Sequence, residues 1–339
     1  MTRNPDTTTS STRRSLTARN VLLVGAIALT VAAPFLLNRY WLYLASMYLA
    51  YVVALLGLKV LFGEAGMLSL GQASFMAIGA YSAGIVVGEL KLTFIYEVVA
   101  VIVICGVVAA VVALPALRVS GLRFALVTLA FGGVVSWLLR ELKEWTGGEQ
   151  GIFIPGPNLY FIDGDSAFVM YFLALVITIM TSWFVWRIAR LRVGRDMSAV
   201  RESVMAASSV GVSAYKAKFT AFVIAGVLGG ISGMILGHVS GAVSPITFDL
   251  FASVYLIVGL ILGGARYVTG AWLGAAYLVL VPAAFTTFGL ERLYVLVSGV
   301  VLILVLFAFP SGISGSISNL WAKRSSSKIE GERHGADKS

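Results

Sequence analysis

Chemistry on a substrate needs polar side chains that converge, and this chain of 339 residues offers few that can. It has two histidines, His238 and His334, and a single cysteine, Cys105. One thiol cannot close a disulfide within the chain, and a cysteine–histidine metal cluster is excluded. Neither a Gly-Lys-Ser/Thr phosphate loop nor a His-Glu-x-x-His pair occurs. Gly147-Gly148-Glu149-Gln150-Gly151, followed by Pro155-Gly156-Pro157, lacks the flanking strand and helix of a phosphate cradle and reads as a loop. Glu64, Glu97, Asp249 and Glu291 all fall near the ends of apolar stretches. Ion-coupled carriers usually hold such groups at depth, so that mechanism finds little support, although sites built from backbone alone stay open. His238 reads as an interfacial or packing residue.

Two patterns remain. Residues 63–88 carry six glycines at uneven spacing, together with Ser69, Gln72 and Ser74. Small residues let membrane helices approach closely, and Ser or Gln can hydrogen-bond between them. Tight packing explains the glycines. A broken or re-entrant helix beside a polar pathway explains Gln72 as well, because a bare amide in hydrocarbon costs several kcal/mol. Ser69, Gln72 and Thr128 are therefore candidates for a pathway, on polarity alone. The second pattern is the run from Arg187 to Glu202, the largest basic segment between two apolar stretches. Met197, Val200, Val204 and Ala207 recur at i, i+3, i+7 and i+10, one face of a short helix. Gly194 precedes that helix and Gly211 follows it, as start and stop. Such a helix can lie on anionic lipid or dock in the groove of a partner.

The elements that position these residues are membrane spans. The chain is 59% hydrophobic and 12% charged, against roughly 45–50% and 25% for a soluble domain. Runs of about 20 apolar residues each cross ~30 Å of hydrocarbon. Ten are predicted, at 20–37, 41–61, 66–88, 94–117, 122–140, 168–187, 217–239, 248–265, 270–288 and 290–309. Lipid offers the backbone no partners, so these are helices. The fold class is an all-α polytopic bundle of about ten transmembrane or re-entrant helices. Residues 1–19 form a disordered cytoplasmic tail, 20–310 the membrane domain and 311–339 a second cytoplasmic tail.

Charge sets the orientation. With both termini inside, only Arg39, Lys91, Arg140, Lys143 and Arg292 of the 25 Lys and Arg residues fall outside. That is the positive-inside pattern. The same rule accounts for the net charge of +9 without nucleic acid. Thr12-Arg13-Arg14-Ser15-Leu16 has a faint likeness to an export signal, but nine further spans argue for an uncleaved first helix.

Read together, several segments resemble branched-chain amino acid ABC-transporter permeases. Gly66-Met-Leu-Ser69-Leu-Gly71-Gln72-Ala-Ser74-Phe75-Met-Ala-Ile-Gly79-Ala80-Tyr81 is similar to the family's third-segment signature. Gly121 to Phe131 resembles a second segment, and Thr146 to Pro155 an outer-loop signature. Gly194-Arg195 through Ala199-Val200-Arg201-Glu202, then Ala206-Ala207, Gly211 and Lys218 to Phe222, resembles the cytoplasmic loop. Ser244-Pro245 and Gly263-Gly264 to Gly274-Ala275 complete the match over residues 41–310, with a departure at Ala271, where proline is common.

The resemblance implies the longer of two permease types, in the plasma (inner) membrane of a prokaryote. It implies a second related permease subunit, two cytoplasmic ATPases that bind ATP and Mg, and an extracytoplasmic binding protein. The permease itself is then no enzyme and holds no cofactor. Residues 188–216 become a coupling loop. Arg195, Arg201 and Glu202 are its expected polar contacts, Val200, Val204 and Met205 its packing or docking residues, and Gly194 and Gly211 its bounds. The solute is a branched-chain or other amino acid; urea, short amides and small carboxylates stay open. A stand-alone channel or ion-coupled carrier, or a membrane scaffold, is the competing reading. Protease added to intact cells should leave the Arg187–Tyr215 loop uncut, whereas inside-out vesicles should lose it; cleavage in intact cells would reverse the orientation.

Overall fold

The computed structural model describes residues 38–88, 93–157, 166–287 and 289. The predicted spans 20–37 and 290–309, both tails and His334 lie outside the described residues. Within them, each of the other eight predicted spans is a helix: α1 (Arg39–Leu58), α2 (Gln72–Gly88), α3 (Phe94–Ala116), α4 (Leu122–Glu141), α5 (Ser166–Arg190), α8 (Ala214–Ser240), α9 (Leu250–Gly263) and α10 (Val268–Thr287). Two short helices, α6 (Arg192–Glu202) and α7 (Val204–Ser209), fill the basic loop. A two-residue ladder pairs Ile152 with Val243 and Phe153 with Ala242, tying a loop to the end of α8.

Among the described residues, six helices are long and apolar enough to cross a membrane: α1 with its extension to Glu64, α3, α4, α5, α8 and α10. The other two are shorter than expected. At 1.5 Å per residue, the 17 residues of α2 and the 14 of α9 reach roughly 25 and 21 Å, short of ~30 Å of hydrocarbon. The span expected from 66 begins as helix only at Gln72, because Gly66 takes a positive φ of 69° and residues 67–71 run non-helically. The span expected from 248 starts at Leu250, after a 3-10 turn over Pro245–Phe248 with proline at its first position.

The centre of the bundle is α1 and α8, with α2 and α3 packed on α8. Sequence spacing explains the approach. Val101, Cys105, Ala109 and Ala113 of α3 recur every fourth residue and are all buried. A fourfold ridge of small residues settles into the groove of a neighbouring helix. On α8 that groove is Gly226 and Gly230; a Cβ at Gly226 would sit 2.8 Å from the Ala109 methyl. Between α2 and α8 the backbones touch directly: a side chain at Gly79 would strike the Gly230 carbonyl, and one at Gly233 the Met76 carbonyl. The opposite face of α3 exposes Ile95, Val99, Val103, Val107 and Val111, as suits contact with lipid. Gly79→Leu and Gly233→Leu should each cost at or above the ~3 kcal/mol end of overpacking. Size-exclusion of the solubilised protein should show loss of the monodisperse peak, while Gly88→Ala, where nothing lies within 4 Å, should keep it.

Candidate functional site

The basic loop is not the single helix that its periodicity predicts. α6 and α7 are separated at Ser203, whose backbone is extended at φ −157° and ψ 116° and whose hydroxyl accepts the Ala206 N–H at 3.2 Å. The break rotates the apolar stripe. Met197, Val200 and Ala207 are buried, but Val204 turns outward, beside Met205, which is 86% exposed. Glu202 is exposed as well. Gly194 lies inside α6 rather than before it, since the helix starts at Arg192. It is needed there because a Cβ would strike the carbonyl of Ile188 and the backbone of Ala189 at the end of α5. Gly211 does follow α7, at a φ of 81° that favours glycine. Arg195 is exposed and donates to the Arg190 carbonyl at 3.2 Å.

Arg201 points the other way, into the bundle. α1 does not end cleanly but widens into a π-helical turn, Lys59–Glu64, with Ala65 N–H bonded to the Val60 carbonyl five residues back at 3.2 Å. The Arg201 guanidinium donates to the Gly63 carbonyl on that turn. Gly66 stays bare because a Cβ there would lie 2.7 Å from Arg201 Cγ. Glu64 links both elements: one oxygen pairs with Lys59, and the other accepts the Ser198 hydroxyl at 3.1 Å. Lys59 is only 1% exposed, and Glu64 is the partner that makes its burial tolerable. Burial, then the nearby positive charge of Arg266, holds the Arg201 guanidinium below its ordinary pKa, against the opposing pull of Glu64 and Glu202. α6 is thus fastened to the ends of α1, α5 and α8.

The three pathway candidates surround the start of α2, and each has a structural partner. Thr128 of α4 accepts the Leu70 N–H at 2.9 Å and donates to the Ala125 carbonyl at 2.9 Å. Ser69 accepts the Gly71 N–H at 3.2 Å. Ser253 of α9, which polarity had not singled out, accepts the Ala73 N–H at 3.0 Å. Three hydroxyls therefore satisfy amides that the broken helix sets free. The Gln72 amide faces α1 and α8 instead, donating to the Ala54 and Ala225 carbonyls at 3.4 and 3.2 Å. Gly57 and Gly229 leave it room, with Cβ positions only 2.8 and 2.9 Å from its nitrogen.

At the opposite end of the bundle lies a pair that sequence reasoning missed. His238 Nε2 sits 2.6 Å from Glu97 Oε1, and its Nδ1 lies 3.0 Å from the Pro155 carbonyl. A carbonyl can only accept, so Nδ1 carries a hydrogen. Both side chains are fully buried, and the second Glu97 oxygen has no partner among the described residues. The available signal was Glu97 itself, an acid in the first turn of an otherwise apolar helix; its partner stands 141 residues away and no spacing rule joins them.

Comparison with known proteins now bears on this arrangement. A family model described as branched-chain amino acid transport system / permease component matches residues 40–306. The chain is 29% identical, over 88% of its length and 76% of the relative's, to the high-affinity branched-chain amino acid transport system permease protein LivM of Escherichia coli K12. It is 28% identical, at the same coverage, to the protein of that name from Salmonella typhimurium LT2. No solved structure matches it. With a family model spanning most of the chain and six helices able to cross a bilayer, the protein belongs to the branched-chain amino acid ABC-transporter permease family and is a multi-pass protein of the inner membrane.

Proposed function

We propose that this chain is the membrane subunit of an ATP-driven importer that carries a small polar solute, foremost a branched-chain or other amino acid, into the cytoplasm. Urea, short amides or small carboxylates are the alternative cargo. In this reading both termini and the basic loop face the cytoplasm, as the charge distribution favours. Two ATPase subunits bind ATP and Mg and dock on the loop, a second related permease subunit completes the pathway, and a binding protein delivers solute from outside. The chain itself performs no hydrolysis.

One observation carries the reading. α6 is held to the bundle by buried Met197 and Val200 and by Arg201, while the break at Ser203 turns Val204, Met205 and Val210 out into the open. An exposed apolar patch on a firmly anchored element is a partner surface. Force applied there passes through the α6–Gly63 contact into α1 and, through residues 65–71, into α2. A rigid-body shift of these helices can open the pathway alternately to either side.

Met205→Asp with Val210→Asp should weaken co-purification of the ATPase subunits at least about tenfold, a loss of ~1.4 kcal/mol or more. Met205→Leu should retain it. Arg201→Glu should leave the protein in the membrane but separate solute uptake from ATP hydrolysis. Unchanged co-purification in the double variant would remove the docking surface. Solute flux through liposomes holding this chain alone would replace the importer with a channel or carrier.

A further inference from the structure

Between the start of α2, the middle of α4 and the start of α9 lies a cavity of about 360 Å³, within the ~300–1,000 Å³ range of small-molecule sites. Both short helices begin at it. The first-turn N–H groups of a helix carry partial positive charge, and a helix that starts within the membrane brings that charge to bear at depth. At α2 the hydroxyls of Thr128, Ser69 and Ser253 occupy the Leu70, Gly71 and Ala73 amides. The Gln72 and Ser74 amides have no acceptor among the described residues.

A second observation is independent of helix geometry. Ser74 lines the cavity, is only 4% exposed, and its hydroxyl has no partner among the described residues. Elsewhere in the bundle, buried hydroxyls return their proton to the carbonyl one turn back: Ser46 to Leu42, Thr178 to Ala174, Thr181 to Ile177. Ser74 instead faces Gly132 of α4, where a Cβ would lie 3.1 Å from its oxygen. Ser136, one turn along α4, adds another hydroxyl to the lining. The Ser74 oxygen is open to the cavity, so its hydrogen-bonding capacity is left for a polar guest there.

The remaining lining is divided by chemistry. Asp249 caps α9, one oxygen accepting the Ala252 N–H at 2.9 Å, and borders the cavity. Leu70, Leu126, Leu129 and Phe248 supply an apolar wall. An acceptor for an ammonium group, donors for a carboxylate and a wall for an alkyl chain thus surround one volume. Two of its lining residues on α4, Leu126 and Gly133, are exposed, on the helix that also exposes Trp137. A second permease subunit would close that face.

We infer that this cavity is a transit site for the zwitterion of an aliphatic α-amino acid. The carboxylate faces the α2 N-terminus and Ser74, the ammonium faces Asp249, and the side chain lies on the leucines and Phe248. The inference rests on the importer reading above and names the cargo's contacts in this chain.

The test uses the complete transporter, with both permeases, ATPases and binding protein, in proteoliposomes, with radiolabelled L-leucine and its deaminated analogue 4-methylpentanoate as probes. Asp249→Asn keeps a good helix cap while removing the charge. It should lower leucine uptake per ATP hydrolysed at least about tenfold and abolish preference for leucine over the analogue. Ser74→Ala should lower uptake about fivefold. ATP hydrolysis stimulated by the loaded binding protein should stay within about twofold in both. In a Ser74→Cys variant, whose native Cys105 is buried, L-leucine should slow modification by a small thiol reagent while 4-methylpentanoate should not. A wild-type complex that moves leucine with unchanged uptake in Asp249→Asn and Ser74→Ala, or with no leucine protection at Ser74→Cys, overturns the site but leaves the importer standing. A wild-type complex that moves only an uncharged solute overturns both the site and the amino-acid reading.

Discussion

Backbone groups inside hydrocarbon have no water to fall back on, and the architecture is organised by that constraint. Where the helices are regular, the ladder satisfies itself. The chain leaves regular helix in two consecutive stretches, the π-turn at Lys59–Glu64 and the extended run through Gly71, and there every released group needs another answer. The π-turn answers with a bond five residues back. The extended run and the first turn of α2 borrow hydroxyls from Ser69, from Thr128 of α4 and from Ser253 of α9. These side chains are therefore positioned by the irregular backbone. Their clustering beside α2 makes a polar patch in an apolar bundle.

The same irregular stretch joins the bundle to its surface loop. A π-turn places residues five apart above one another, which brings Lys59 against Glu64 and leaves Glu64 an oxygen for Ser198. The free Gly63 carbonyl receives Arg201. Hydrogen bonds to charged groups are worth about 1.5–3 kcal/mol each, more than neutral ones. The joint between α6 and the membrane helices is thus made of charge-assisted contacts, which are the stronger kind. Gly63 and Gly66 hold this geometry by having no side chain to interfere, the first against the Ala265 carbonyl and the second against Arg201.

Much of this was legible in order of physical strength. Apolar length located eight helices that the described residues contain, because a span must cover a fixed thickness. Lone glycines marked where backbones meet, and the basic run marked a long loop that had to be solvated. Irregularities were harder. The 3.6-residue period of Met197, Val200, Val204 and Ala207 predicted one helix, but Ser203 is a strong N-cap, and local capping overrode the period. Polarity placed Gln72 beside a pathway, yet an amide can be satisfied by two carbonyls of neighbouring helices, and here it is. The same polarity scan noted Ser74 without making it a candidate and passed over Ser253, since serine is common between packed helices and only its partners distinguish one role from another.

Composition and spacing alone thus determined that the chain is a helical membrane protein with one basic, solvent-facing loop, and the motifs within it determined its family. Those properties depend on transfer free energy and on local period, which each segment carries by itself. Tertiary structure decided where α2 and α9 begin, which way Arg201 points, that Glu97 meets His238 across 141 residues, and that two helix starts share a cavity with an unpartnered serine. Each of these is a contact between segments distant in the chain, and the period of one segment carries no information about the carbonyl or hydroxyl that another will bring to it.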